Sequence, residues 1–303
     1  MSAARTAVAI VGAGGLARAL SRALALSGGV RVTIASRRPA AAAVLARGTR
    51  GLKAASRIDD AVADASIVVL AVPDRSISSL ARTLAPMRPS WRGIVVLHAA
   101  GAYGPELLAP LRARAASTGV LHPLAVLGAK GRANLSGAYA RIEGQTGARA
   151  AARRLCGLVG LTPLPGSGLQ SPQGRSSYHA AASLASNDLV ALLAAGQGLL
   201  VRRGVPAGVA LRALIALAEG ALKQARAAGL AGALTGPVAR NDGATLLAQL
   251  RALAKDDPAA EQAHRALARR LIELAESAGR MDEATAKALR SLLGRGPGRS
   301  ATV

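Results

Sequence analysis

This sequence predicts an α/β domain with a doubly wound parallel sheet, followed by an all-helical domain. Three observations carry that prediction. Apolar β-type runs alternate with helical patterns over roughly the first 165 residues, the rhythm of βαβ units. The first run, Ala7-Val8-Ala9-Ile10-Val11, turns through Gly12-Ala13-Gly14-Gly15 directly into a helical pattern. Beyond a Pro/Gly/Ser-rich segment between Pro163 and Gly174, every long stretch has helical periodicity. The expected domains are residues 1–167 and 168–303.

The glycine-rich turn comes first. Between a strand and a helix it has the form of a phosphate cradle. Gly12 permits the tight turn, and Gly14 lets a pyrophosphate approach the backbone. Ala17, in place of a third glycine, is small enough for helix to pack on strand. The opening residues of the helix, Gly15, Leu16 and Ala17, direct free N–H groups toward an anion favoured there by the macrodipole. A purely structural glycine turn is the other reading.

The second strand, Val30–Ala35, ends at Ser36-Arg37-Arg38. An NAD site places a carboxylate at this point for the ribose 2′-hydroxyl, whereas a hydroxyl and two guanidinium groups suit a 2′-phosphate. The expected cofactor is therefore NADP(H). The third strand, Ser66–Val72, is a continuous apolar run that stops at Pro73-Asp74, which adds Val72 and Pro73 to the cofactor residues. A helix follows at Ser76–Ala85, a strand at Gly93–His98, and a helix from Pro105. Gly119–Pro123, Ala138–Glu143 and Leu161–Leu164 are further strands, the last two around a helix at Thr146–Leu158. Ligands bind outside the carboxyl ends of such strands, where Gly12, Ser36, Pro73, His98 and His122 lie.

The helical half reads as Ser176–Arg203, Pro206–Ala228, Gly243–Lys255, Pro258–Ala278 and Asp282–Leu293, with a frayed tail from Gly294. In the first helix His179, Ser183, Ser186 and Asn187 fall on one face among small residues. Such a stripe either forms a polar seam between helices or lines a pocket. In the second case His179 is a hydrogen-bond donor or general acid. The loop Ala233–Gly243 presents Thr235 and Arg240 as ligand contacts, while Asp242 serves as the N-cap of the helix that follows. His264, on a charged helix, is expected to be solvated.

Composition bounds the rest. Lys+Arg 39 against Asp+Glu 16 leaves +23, yet the arginines are scattered and aromatics make up 1%, so specific nucleic-acid binding is not expected. Cys156 is the only cysteine, which excludes an intrachain disulfide and a cysteine-based metal site; no metal is expected, and a reducing cytoplasm is. The apolar stretch Ala180–Val201 carries Asn187, Asp188 and Gln197, the mark of a buried helix and not of a membrane span.

Taken in order, Gly12-x-Gly14, Ala71-Val72-Pro73-Asp74, His98 with Gly101, His122-Pro123, Tyr178-His179-Ala180-Ala181 with Ser186-Asn187, and Thr235-Gly236-Pro237 resemble one family. It is that of Rossmann-like proteins with a C-terminal DUF2520 domain, related to pyrroline-5-carboxylate reductase and the 6-phosphogluconate dehydrogenase-like superfamily. The resemblance runs from the first strand to about Leu271 and implies NADP-type binding, a helical domain that commonly makes a homodimer, and a site between the domains. It names no substrate. Two departures stand out: Ala100 replaces a small hydroxyl residue, and Arg240-Asn241-Asp242 replaces Arg-Gly-Asp. The helix at Ser176–Arg203 also lacks the lysine of the related hydroxyacid dehydrogenases, which favours imine or ketone reduction.

The expectation is thus an NADPH-dependent reductase of a C=N or C=O bond in a small substrate, with or without a carboxylate. His179, or a water held by Asn187, supplies the proton; His98, Tyr178, Ser183, Thr235 and Arg240 contact substrate. The alternative is a non-catalytic NADP(H)-binding sensor or docking protein.

Overall fold

The computed structural model describes residues 6–128 and 134–294. It divides into two compact units, Met1–Leu184 and Ala185–Val303. The expected frayed tail beyond Gly294 lies outside the described residues.

The first unit runs β1 (Ala7–Val11), α1 (Gly15–Ser27), β2 (Arg31–Ala35), α2 (Pro39–Arg47), β3 (Leu52–Ala54), α3 (Ile58–Ala63) and β4 (Ile67–Leu70). It continues with α4 (Ile77–Leu84), β5 (Val95–His98), α5 (Ala109–Arg112), β6 (Ser117–Leu124), β7 (Tyr139–Gly144), α6 (Thr146–Val159), β8 (Thr162–Pro163) and α7 (Pro172–Ala185). One sheet has the order β3-β2-β1-β4-β5-β6-β7-β8. All pairings are parallel except β6 with β7.

That antiparallel strand departs from the expected all-parallel sheet. The described part of the link between β6 and β7 holds no crossover helix, so the chain turns back alongside β6. The short strand β3 and helices α2 and α3 are additions to the expected list. Three residues of strand are too few for a periodic signal.

Burial explains the near-continuous apolar strands. Val8 and Ile10 of β1 enter one core with Leu20 and Leu24 of α1 and Leu155 of α6. Ala9 and Val11 enter the other with Val62 of α3, Leu84 of α4 and Trp91. In β4, Ile67 and Val69 join the first core, and Val68 and Leu70 the second. Alternate side chains leave opposite faces, so a sheet covered on both sides must be apolar at every position.

The second unit contains α8 (Asn187–Val201), α9 (Ala207–Gly232), α10 (Gly236–Ala239), α11 (Gly243–Asp256), α12 (Pro258–Ser277) and α13 (Glu283–Gly294). Leu246, Leu250, Ile272 and Leu289 form its core. Asp242 caps α11 by accepting from the Thr245 N–H at 3.0 Å, and Asp257 caps α12 from the Ala260 N–H at 3.0 Å. Gly229 interrupts α9 with φ +72°, one residue past the expected helix end at Ala228.

Two expectations in the helical region are corrected. The predicted helix Ser176–Arg203 is broken at Ser186 (φ −129°, ψ −74°), so His179 and Ser183 on α7 share no continuous helical face with Asn187 on α8. The apolar stretch expected to be buried is not: no residue of α8 is buried, and α9 buries only Ala210. By length and composition alone the stretch Pro172–Val201, which the break at Ser186 divides, is long and apolar enough to cross a membrane.

Candidate active site

The sheet order reverses between β1 and β4, and the crevice opens there. Gly12 has φ +142°, and a Cβ at that position would lie 2.1 Å from the Ala71 carbonyl oxygen. Only glycine permits that turn. Its N–H bonds the Ala35 carbonyl at 2.8 Å, tying the ends of β1 and β2 together. A Cβ at Gly14 would meet nothing within 4 Å, so this backbone faces open space at the start of α1.

The resulting cleft is about 820 Å³. Gly12, Gly14, Gly15 and Leu16 line one part, Ser36, Arg37 and Arg38 another, and Val72, Pro73 and Ala99 a third. Arg37 and Arg38 are exposed, and their guanidinium groups have no partner among the described residues. The Ser36 hydroxyl is nearly buried and donates to the Arg38 carbonyl at 2.7 Å, bracing the turn that presents the arginines. Ala17, expected both to pack on the strand and to offer its N–H to the cofactor, packs beneath the turn. It is fully buried, its methyl group 3.4 Å from where a Gly12 Cβ would lie.

Ala99 ends the cleft and opens a second cluster within the same unit. The loop 99–104 is held from beneath by His98, whose Nδ1 accepts from the Ala100 N–H at 3.1 Å and whose Nε2 therefore donates to the Gly104 carbonyl at 2.8 Å. His98 is fully buried, and burial pushes its pKa down, aided by the nearby Arg141 charge. Both ring nitrogens are committed to backbone, which leaves none free for the substrate contact expected of His98. It is a brace.

Arg141, on β7, is also buried. It pairs with Glu143 and donates to the carbonyls of Ala100 (3.3 Å) and Tyr103 (2.7 Å). Glu143 in turn holds Arg175 of α7 at 2.7 Å, and Arg175 reaches Glu106 at 3.1 Å. The network thus binds α7 to the loop and the sheet.

Tyr178 of α7 is buried at 5% exposure, with its hydroxyl 2.8 Å from His122 Nδ1 and its ring 5.7 Å from the Arg141 guanidinium. A substrate contact was expected of Tyr178. Its hydroxyl is hydrogen-bonded to His122 Nδ1. His179, the next residue, is exposed, and its ring centroid is 6.4 Å from that of His122. Both imidazoles crowd Gly101: a Cβ there would lie 2.8 Å from His179 Nδ1 and 2.9 Å from His122 Nε2. Glycine at 101 lets the two rings approach the backbone together.

His122 is the residue whose role the sequence left unassigned, although its place at the end of β6 is evident there. Burial, with the charges of Arg141, His179 and His98, lowers its pKa to about 4. Arg141 and Glu143 had a readable signal, opposite charges two residues apart in a strand and hence on one face.

The remaining expected residues sit as follows. Ser183 is partly exposed on α7. Asn187 is exposed at the first turn of α8. Thr235 and Arg240 are exposed and flank α10, and Asn241 adopts φ +55°. His264, expected to be solvated, is partly buried, its Nε2 without a partner among the described residues, and burial lowers its pKa. Among the described residues no group of three or more His, Cys, Asp or Glu could hold a metal.

Sheet order, glycine turn and cleft together define a Rossmann-type fold with a helical C-terminal region. Residues 1–123 match the Rossmann-like domain family. Residues 138–271 match the family described as Domain of unknown function (DUF2520), so the two matches fall on the two parts of the chain whose motifs resemble those families. No curated protein matches the sequence. Among solved structures, a protein designated an NADP oxidoreductase from Bacteroides fragilis superimposes with TM-score 0.68 at 21% identity, covering 88% of this chain and 98% of that one. A pyrroline-5-carboxylate reductase from Coxiella burnetii gives 0.60 at 16% identity over 89% and 98%. A reductive aminase from Aspergillus terreus, in complex with NADPH and ethyl-5-oxohexanoate, gives 0.59 at 17% identity over 95% and 92%. At these identities the likeness is one of fold.

Proposed function

We propose that this protein is an NADP(H)-dependent oxidoreductase that reduces a C=N or C=O bond of a small molecule. The observation that carries the reading is the switch-point cleft, phosphate-cradling in form and with two guanidinium groups on its rim that have no partner among the described residues. Those residues fit the cofactor. Gly12, Gly14 and the first N–H groups of α1 would hold the diphosphate, Arg37 and Arg38 the 2′-phosphate, and Val72 and Pro73 would back it. NADPH, when bound, supplies the hydride. The solved structures of similar fold support the class, since one is designated an NADP oxidoreductase and another was obtained with NADPH.

In this reading the exposed His179 delivers the proton to the heteroatom, and Ser183 on the same helix orients the substrate. A second copy of the chain is proposed to cover the apolar faces that α8 and α9 leave bare, including Val190, Leu192, Ile215 and Leu217.

The test is loss of NADPH absorbance against a panel of cyclic imines, keto acids and ketones, with NADH in parallel. Turnover that prefers NADPH is expected. Tight NADPH binding without any turnover would favour a non-catalytic sensor, and tighter NADH than NADPH would remove the cofactor assignment.

A further inference from the structure

The two imidazoles over Gly101 differ in kind. His122 Nδ1 lies 2.8 Å from the Tyr178 hydroxyl. That hydroxyl has one proton, and its other acceptor, the His122 carbonyl, is 3.5 Å away, too long for a strong bond. The proton is therefore directed to Nδ1, and a neutral ring carries its own proton on Nε2, the nitrogen that crowds Gly101. The tyrosine keeps that proton, since burial raises its pKa to about 12. Arg141, paired with His122 across β6 and β7, sits beneath the Tyr178 ring with its permanent charge. The other ionisable side chains around this imidazole are His98 and His179.

We propose that His122 is a standing neutral donor whose Nε2–H bonds the carbonyl oxygen or imine nitrogen of the substrate, with Tyr178 and Arg141 as positioning residues behind it. The proposal rests on the reductase reading. The π bond to the heteroatom breaks, hydride from the reduced dinucleotide forms the new C–H bond, and the heteroatom takes one proton. His122 keeps its own proton and stabilises the negative charge that grows on the heteroatom. His179, open to solvent, passes on its proton and regains one from water. A neutral imidazole fixed by a neighbour serves as an electrophile in other enzymes by the same logic.

The experiment uses the full chain with NADPH and the imine, keto-acid and ketone panel, with NADPH dissociation constants measured alongside. His122→Leu should lower kcat/KM about 10²–10³-fold, the loss typical of one removed donor, with NADPH affinity unchanged. His122→Gln, whose amide places a neutral N–H at similar reach, should recover part of that loss. In ¹⁵N spectra of the histidines the wild type should show His122 as the Nε2–H tautomer at neutral pH, and Tyr178→Phe should mix the tautomers. Wild-type turnover matched by His122→Leu overturns the donor role alone, as does an Nδ1–H tautomer in the wild type. A wild type that binds NADPH yet reduces nothing overturns the reductase reading and the donor role with it.

Discussion

His179 and His122 stand side by side in one unit and differ in exposure, and the proposed reaction gives them different work. If the exposed His179 moves the proton, His179→Ala should cut turnover about 10²–10⁴-fold while leaving NADPH affinity nearly intact. Steady-state kinetics beside a binding titration checks this, and unchanged turnover removes His179 from the reaction. His122 makes a prediction about stability. Its folded pKa of about 4 lies below the ordinary histidine value of 6.5, so below pH 6.5 the unfolded chain takes up a proton that the folded chain refuses. Its contribution is fully present above pH 6.5 and drains away as pH falls toward 4, amounting to roughly 3 kcal/mol. Urea midpoints across that range should fall more steeply for the wild type than for His122→Gln. His98 acts in the same direction, so the difference between the two proteins isolates His122.

Among the elements, the turn from β1 into α1 leaves the least freedom. Gly12→Ala would place a methyl group against the Ala71 carbonyl in a backbone conformation that disfavours any side chain. NADPH binding should be lost and the melting temperature lowered, as calorimetry with and without cofactor would register. Replacing Arg37 and Arg38 together with alanine should weaken NADPH roughly 10–100-fold, the worth of one or two charge-assisted hydrogen bonds, and leave NADH unchanged. Equal losses for both dinucleotides would contradict a 2′-phosphate contact. The strand-helix alternation and the glycine turn were legible because each is local. The break at Ser186 was not, since Ala185, Ser186 and Asn187 carry neither glycine nor proline and the interruption is a backbone event without a composition signal.

For the whole molecule, the charge of +23 and the bare helices α8 and α9 point in different directions. Charge of one sign keeps copies of a chain apart, whereas exposed leucine and valine draw them together. Leu217 is 72% and Leu222 61% exposed on α9, too much apolar surface for a helix meant to meet water alone. Light scattering should give twice the mass of one chain, and Leu217→Glu with Leu222→Glu should return it to that of one. A wild-type monomer at micromolar concentration would overturn the dimer. The sequence by itself determined the α/β and all-helical halves, the glycine turn and the arginine pair, because each depends on neighbours a few residues apart. Tertiary structure alone decided that His98 is a brace and that His122, Tyr178, Arg141 and Gly101 converge. Those contacts join β5, β6, β7 and α7 across up to 56 residues of chain, and spacing carries no signal for what folding brings together.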